Sequence, residues 1–354
     1  MTVMRYAGLA AMVLVTGMAY GGNPDRTGES GASQLLVNPW ARSVGWNWVN
    51  VASIRSIEAM RVNVGGLSLM QGTEVYFSNS QYLVGADISI NALGFARRLG
   101  DGALGISVVS LDFGNIETTT TDQPEGGLGT FKPQLLNIGL AYSHSFADFI
   151  HGGVVVRLIS ESIPDVSAQG ICLDGGLVYN TGPAEYPDKF KFGVSLRNVG
   201  TPMTFKGDGL TFKTNVITGT YQQGVSQLAQ RFELPSQLSI GLTYDMYAQN
   251  KHRVTVAACF VSNAFYKDQF GIGAEYGLKI KNRELIQVRT GLKYEQGLFQ
   301  SENRTNAHSG IAAGFTVDIP FSKEKTRPRL GLDYGWRSSG AFSGSHSAGI
   351  RLNF

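Results

Sequence analysis

From about Glu74 onward the chain alternates between apolar and polar or small residues with a period of two, the signature of extended strands with two unlike faces. In Asn137–Phe146, Ile138, Leu140, Tyr142, His144 and Phe146 share one face, while Asn137, Gly139, Ala141, Ser143 and Ser145 share the other. In Lys189–Asn198, Phe190, Phe192, Val194 and Leu196 oppose Lys189, Lys191, Gly193, Ser195 and Arg197. Gln237–Met246 repeats the theme, as do Phe270–Lys281, Ile286–Glu295, Ile311–Ile319 and Arg329–Arg337. The last stretch, Ser345–Phe354, sets Ala348, Ile350, Leu352 and Phe354 against Gly349, Arg351 and Asn353. Each run is about ten residues, enough for a tilted strand to cross a bilayer, and the runs total about fourteen.

Alternation alone does not choose between a soluble sandwich and a membrane barrel, because both bury one face. The polar face here holds Lys191, Arg197, Asp245, Glu275, Lys279, Arg289, Lys293, Asp333, Arg337 and Arg351 among many glycines. Strand number, strand length and the terminal aromatic Phe354 favour a barrel whose Leu and Ile meet lipid and whose charges line the interior. Tyr142, Tyr179, Tyr244, Tyr276, Tyr294 and Trp336 then supply interfacial aromatics. Composition agrees. Of 354 residues, 43% are hydrophobic and 16% charged. The mean hydropathy of -0.04 is mild, as expected when only every second strand residue meets lipid. No long apolar run after the amino terminus suggests a membrane helix.

Met1–Ala19 reads as a secretory signal, with Arg5 as the charge, Tyr6–Val15 as the apolar region and Gly17-Met18-Ala19 as a small-x-small cleavage site. Its removal takes the net charge from +3 to +2, since Arg5 is its only charged side chain. No basic stripe marks a nucleic-acid partner. Residues 20–72 do not alternate. They carry Trp40, Trp46 and Trp48, with helix-like spacing at Ile54, Ile57 and Met60, and are expected to plug the barrel formed by residues 73–354. Cys172 and Cys259 fall on the polar register of separate strands and are expected to be unpaired interior thiols. With both termini in the periplasm of a bacterial outer membrane, connections after odd strands should be long and external. Asn115–Pro133, Gly200–Glu233 and Gly297–Ala307 fit that pattern.

The residues resemble the PorV/PorQ family, FadL-like outer-membrane barrels of the type IX secretion system. Thr27–Ala32 with Gln34-Leu35-Leu36 and Ala41-Arg42-Ser43 is similar to the family's opening. Gly105–Ile116, Asp174-Gly175-Gly176-Leu177, Leu196-Arg197-Asn198-Val199-Gly200, Leu234-Pro235, Gly273–Tyr276 and Asp333-Tyr334 resemble later landmarks in the same order. Asn63-Val64-Gly65-Gly66-Leu67 stands where the family carries Asn-Pro-Ala-Gly-Leu, and losing the Pro loosens a rigid turn. The resemblance implies a non-enzymatic secretion component with no cofactor. Its partners would be membrane lipid, a large translocon barrel with other secretion subunits, and the carboxy-terminal domains of cargo or a surface attachment complex. The long outer loops Asn115–Pro133 and Gly200–Glu233 would carry recognition, without individual contact residues being assignable.

Catalytic and metal motifs are missing from the sequence: no G-x-S-x-G, Walker A or dinucleotide fingerprint, and His144, His151, His252, His308 and His346 are scattered. Glu275 with Lys279, and Lys293 with Glu295, read as salt-bridging interior charges. The competing reading is a FadL-like transporter of hydrophobic small molecules. It requires an apolar, ligand-sized pocket between plug and wall, and the charged, glycine-rich interior registers weigh against one.

Overall fold

A computed structural model of the protein describes residues 26–215, 221–248, 251–280, 283–300, 306–321 and 328–354. The signal-like segment 1–19 lies outside them. Fourteen antiparallel strands form one closed barrel. They are β1 (Thr73–Tyr82), β2 (Ile88–Leu99), β3 (Gly102–Asp112), β4 (Gln134–Ala147), β5 (Ile150–Ile163), β6 (Val166–Thr181) and β7 (Phe190–Gly200). There follow β8 (Gln237–Ala248), β9 (His252–Asn263), β10 (Gln269–Ile280), β11 (Arg283–Glu295), β12 (His308–Pro320), β13 (Arg329–Ser339) and β14 (Ser345–Asn353). Each pairs with its neighbours in sequence, and β1 closes on β14. Thr73 and Phe354 exchange backbone hydrogen bonds of 3.1 and 2.8 Å at that seam. Closure leaves no unpaired edge, the condition a sheet must meet in lipid.

The alternation sorts residues as the pattern predicts. Leu140 is 60% exposed on the outer wall, whereas its neighbour Ala141 is buried inside. Tyr142, Tyr179, Tyr244, Tyr276 and Tyr294 are exposed on the outer face. Cys172 and Cys259 are buried and unpaired. Tight turns such as Gly100-Asp101 gather at one rim. The connections between β3 and β4, β7 and β8, and β11 and β12 gather at the other, where the β7–β8 connection raises a hairpin of Thr211–Asn215 and Gln222–Ser226.

The amino-terminal segment fills the lumen as a chain of short turns. These are 3-10 turns at Ser33–Leu36, Ser56–Glu58 and Val64–Leu69, with α1 (Ala41–Gly45) and α2 (Ala59–Val62). Ile57 and Met60 are buried in its core as their spacing predicts, while Ile54 is buried outside any helix. At Asn63 the side chain accepts a hydrogen bond from Gly65 N at 3.2 Å, so an Asn cap starts the turn in place of the absent proline. The segment starts at the long-loop rim, where Gly31 N donates to the Glu233 carbonyl at 3.0 Å and Arg26 pairs with Glu233 at 2.9 Å. It leaves at the other rim, where Arg98 donates to the Ser68 and Met70 carbonyls. Arg26 and Phe354 lie at opposite rims because the plug traverses the barrel before β1 begins.

Interior glycines let the plug backbone touch the wall. A Cβ on Gly291 would lie 2.1 Å from the Trp46 carbonyl oxygen, and one on Gly335 2.3 Å from that of Ala41. Gly291→Val should therefore displace the plug, costing about 1–3 kcal/mol, while the barrel still forms. Limited proteolysis should cut the 32–70 segment faster than in the wild type. Equal protection would show that the plug does not depend on this contact.

Candidate functional site: a cavity above a charged belt

The interior charges of the second half of the barrel form one chain of contacts over nine consecutive strands. Lys191 on β7 pairs with Asp245 on β8, which lies 3.6 Å from Arg253 on β9. Arg253 reaches Glu275 on β10 at 2.6 Å, and Glu275 takes Arg289 of β11 at 2.8 Å. Arg289 donates to Thr316 of β12 at 2.7 Å, and Thr316 donates to Asp333 of β13 at 2.5 Å. Arg351 of β14 then joins Asp333 at 3.5 Å, Asp318 at 3.0 Å and Glu74 of β1 at 3.9 Å. The expected Glu275–Lys279 pair is replaced. Register sets Arg289 directly opposite Glu275, and Lys279 instead lies 4.7 Å from the Tyr247 ring. The plug sits on this belt, with Trp46 Nε1 donating to Glu275 at 3.1 Å and Ile57 N to Glu74 at 3.2 Å.

The first half of the barrel is different. Ala92, Ala96, Ala103, Val109, Ala141 and Val155 face inward there and share one apolar core with the plug. Where the halves meet, wall arginines hold α2 by its last carbonyls. Arg157 donates to Met60 O at 3.1 Å and Arg197 to Arg61 O at 2.6 Å, satisfying acceptors that a helix end leaves free. Asp174 pairs with Arg157 and accepts from Asn198 N at 2.6 Å. Two distant sequence motifs thus meet at a break in the β6–β7 register. Arg61 in turn donates to the Gln34 and Val37 carbonyls.

Above this floor, toward the long-loop rim, lies a cavity of about 350 Å³ between plug and wall. Gln34, Leu36, Val37 and Trp48 line it from the plug, and Tyr82, Leu111, Phe113, Leu135, His308 and Arg337 from the wall. Trp48 is placed by two successive left-handed residues, Asn47 (φ 49) and Trp48 (φ 62), which end α1 and turn the chain back. Asn47 Nδ2 fixes that turn on the Gly310 carbonyl at 2.7 Å. Arg337 then lies over the Trp48 ring, 4.3 Å from its centroid, and Lys293 lies over it at 4.8 Å. The charged, glycine-rich interior registers weigh against such a pocket without excluding it. It exists because the inward register of β1 to β4 turns apolar at the upper strand ends, at Tyr82, Leu111 and Leu135. Those residues carried no motif. Their shared position at the outer ends of neighbouring strands is the signal that could have singled them out.

No protein-family model and no curated protein matches the chain. Among solved structures it is similar to the toluene transporter TodX of Pseudomonas putida, with TM-score 0.52 and 13% identity over 88% of this chain and 96% of that one. A FadL homologue of Pseudomonas aeruginosa gives TM-score 0.51 and 11% identity, covering 88% of this chain and 97% of that one. The toluene transporter TbuX of Ralstonia pickettii gives TM-score 0.50 and 14% identity over 84% and 93%. The chain, with fourteen strands closed around an amino-terminal segment, is thus similar in fold to these barrels, a FadL homologue among them.

Glu275 joins buried Arg289, partly buried Arg253 and the plug. Glu275→Gln leaves Arg289 without its one carboxylate among the described residues and should cost about 3 kcal/mol or more. The measurement is the midpoint of thermal unfolding of the detergent-solubilised barrel, and an unchanged midpoint would count against the belt as a structural brace.

Proposed function

We propose that this chain is a non-enzymatic outer-membrane transporter that admits small hydrophobic molecules from the outer face into the cavity between plug and wall. The observation that carries this reading is the cavity itself. It is ligand-sized, lined by aromatic and aliphatic side chains on one side and by polar ones such as Gln237, Asn263, Gln269 and Asn306 on the rest, and lies toward the rim of long loops. The similarity in fold to TodX and TbuX, both toluene transporters, supports the same reading. On this view the short-turn rim with Phe354 faces the periplasm and the long loops face outward. The plug and charged belt beneath the cavity hold back ions and water, so a captured molecule leaves past the plug or through the wall.

A secretion role of the PorV/PorQ kind keeps one supporting observation. The hairpin Thr211–Asn215 and Gln222–Ser226 stands fully exposed on the long-loop side, with Phe212, Tyr221 and Leu228 open to solvent. Such a projection suits contact with a protein partner.

Uptake of labelled toluene by cells expressing the protein separates the two. Wild type should exceed the empty vector severalfold. Leu135→Trp, which fills the cavity, should remove most of that gain while the barrel still reaches the membrane. Wild-type uptake equal to the vector would end the transport reading. Copurification of a very large barrel or of cargo sharing a carboxy-terminal domain would then move the assignment to secretion.

A further inference from the structure

We propose that the cavity selects aromatic carboxylates over neutral arenes, and that Arg337 is the residue that reads the acid. This deepens the transport reading and rests on it. Most of the other interior cations named above have an acid or a plug carbonyl, while Lys279 lies over the Tyr247 ring and Lys293 over that of Trp48. Lys191, Arg253, Arg289 and Arg351 share the acids of the belt, Arg157 has Asp174, and Arg61 and Arg197 donate to plug carbonyls. Arg337 stands apart. It is 5% exposed and lines the cavity, yet no carboxylate lies within ion-pairing distance of it among the described residues. Its guanidinium rests on Trp48, and its Nε has no acceptor among the described residues. Trp48 Nε1, on another residue lining the same cavity, is a second buried donor with none.

A buried guanidinium without a counter-charge is unfavourable, and one oriented by packing is suited to meet a carboxylate with its fork of donors. Among the described residues Glu295 is the one carboxylate lining the cavity, and it is engaged elsewhere. It accepts from Gln269 at 3.0 Å and shares the inward face of β11 with Lys293. Among the described residues, Lys293, 4.8 Å from the Trp48 ring, adds a second positive charge beside the lining pair of Arg337 and Glu295. His308, also on the lining, turns its Nδ1 to the Ser338 carbonyl at 3.3 Å. Trp48, Tyr82, Phe113 and Tyr266 supply flat apolar surface around this charge, and a cavity of about 350 Å³ suits a single-ring molecule.

Calorimetry on the purified full chain in detergent, with benzoate and benzyl alcohol as probes, tests the assignment. The two share a ring and differ in the charged head. Wild type should bind benzoate about tenfold more tightly. Arg337→Gln should weaken benzoate alone until the two differ by less than about threefold, and Arg337→Lys should restore part of the preference. Benzyl alcohol bound by the wild type as tightly as benzoate overturns carboxylate selection and leaves transport standing, and this comparison needs no variant to fold. A preference that survives in folded Arg337→Gln overturns the role of Arg337. If neither probe binds the wild type, the cavity is not a binding site and both readings fall.

Discussion

Much of the inside of this barrel is arranged around the need to bury charge in matched sets. From Lys191 on β7 to Glu74 on β1, the cations of the belt, Lys191, Arg253, Arg289 and Arg351, each pair with an acid of a neighbouring strand. Arg289 is fully buried between Glu275 and Thr316. Removing any member would strand another charge in a region of low polarity, so the belt constrains strand order, register and plug position together. Its coupling to the plug is direct, because Trp46 and the Ile57 amide donate into it.

The lumen is consequently two-faced. One half is a ladder of ion pairs and the other a smooth surface of Ala, Gly and Val on which the Val64–Leu69 turn packs. The charged half cannot host a hydrophobic ligand without losing its pairs, and the smooth half is already filled. Space remains only above the plug, where the inward register changes to Tyr82, Leu111 and Leu135 and Trp48 turns upward. The cavity is thus a consequence of where the belt and the plug stop.

The plug also links the two rims. Its start is joined to the β7–β8 connection through Glu233, and its end is held by Arg98 at the opposite rim. Between them, Asn47 holds the Gly310 carbonyl and Asn63 holds those of Val51 and Leu177. A displacement of the outer loops therefore acts on the segment that carries Trp48.

The sequence by itself determined the barrel. Period-two alternation depends only on the backbone geometry of a strand, so the outward Leu140, the inward Glu275 and the unpaired interior cysteines were legible residue by residue. So was the plug, since a stretch that abandons alternation cannot join the wall. Pairing was decided only in three dimensions. Glu275 and Lys279 share a face at a spacing of four, but cross-strand register puts Arg289 nearer. The meeting of Asp174 with Asn198, the traverse that sets Arg26 and Phe354 at opposite rims, and the cavity all join residues far apart in the chain. Local pattern dictates which way a side chain faces. What it faces depends on strand register and on the path of the plug, and neither is encoded locally.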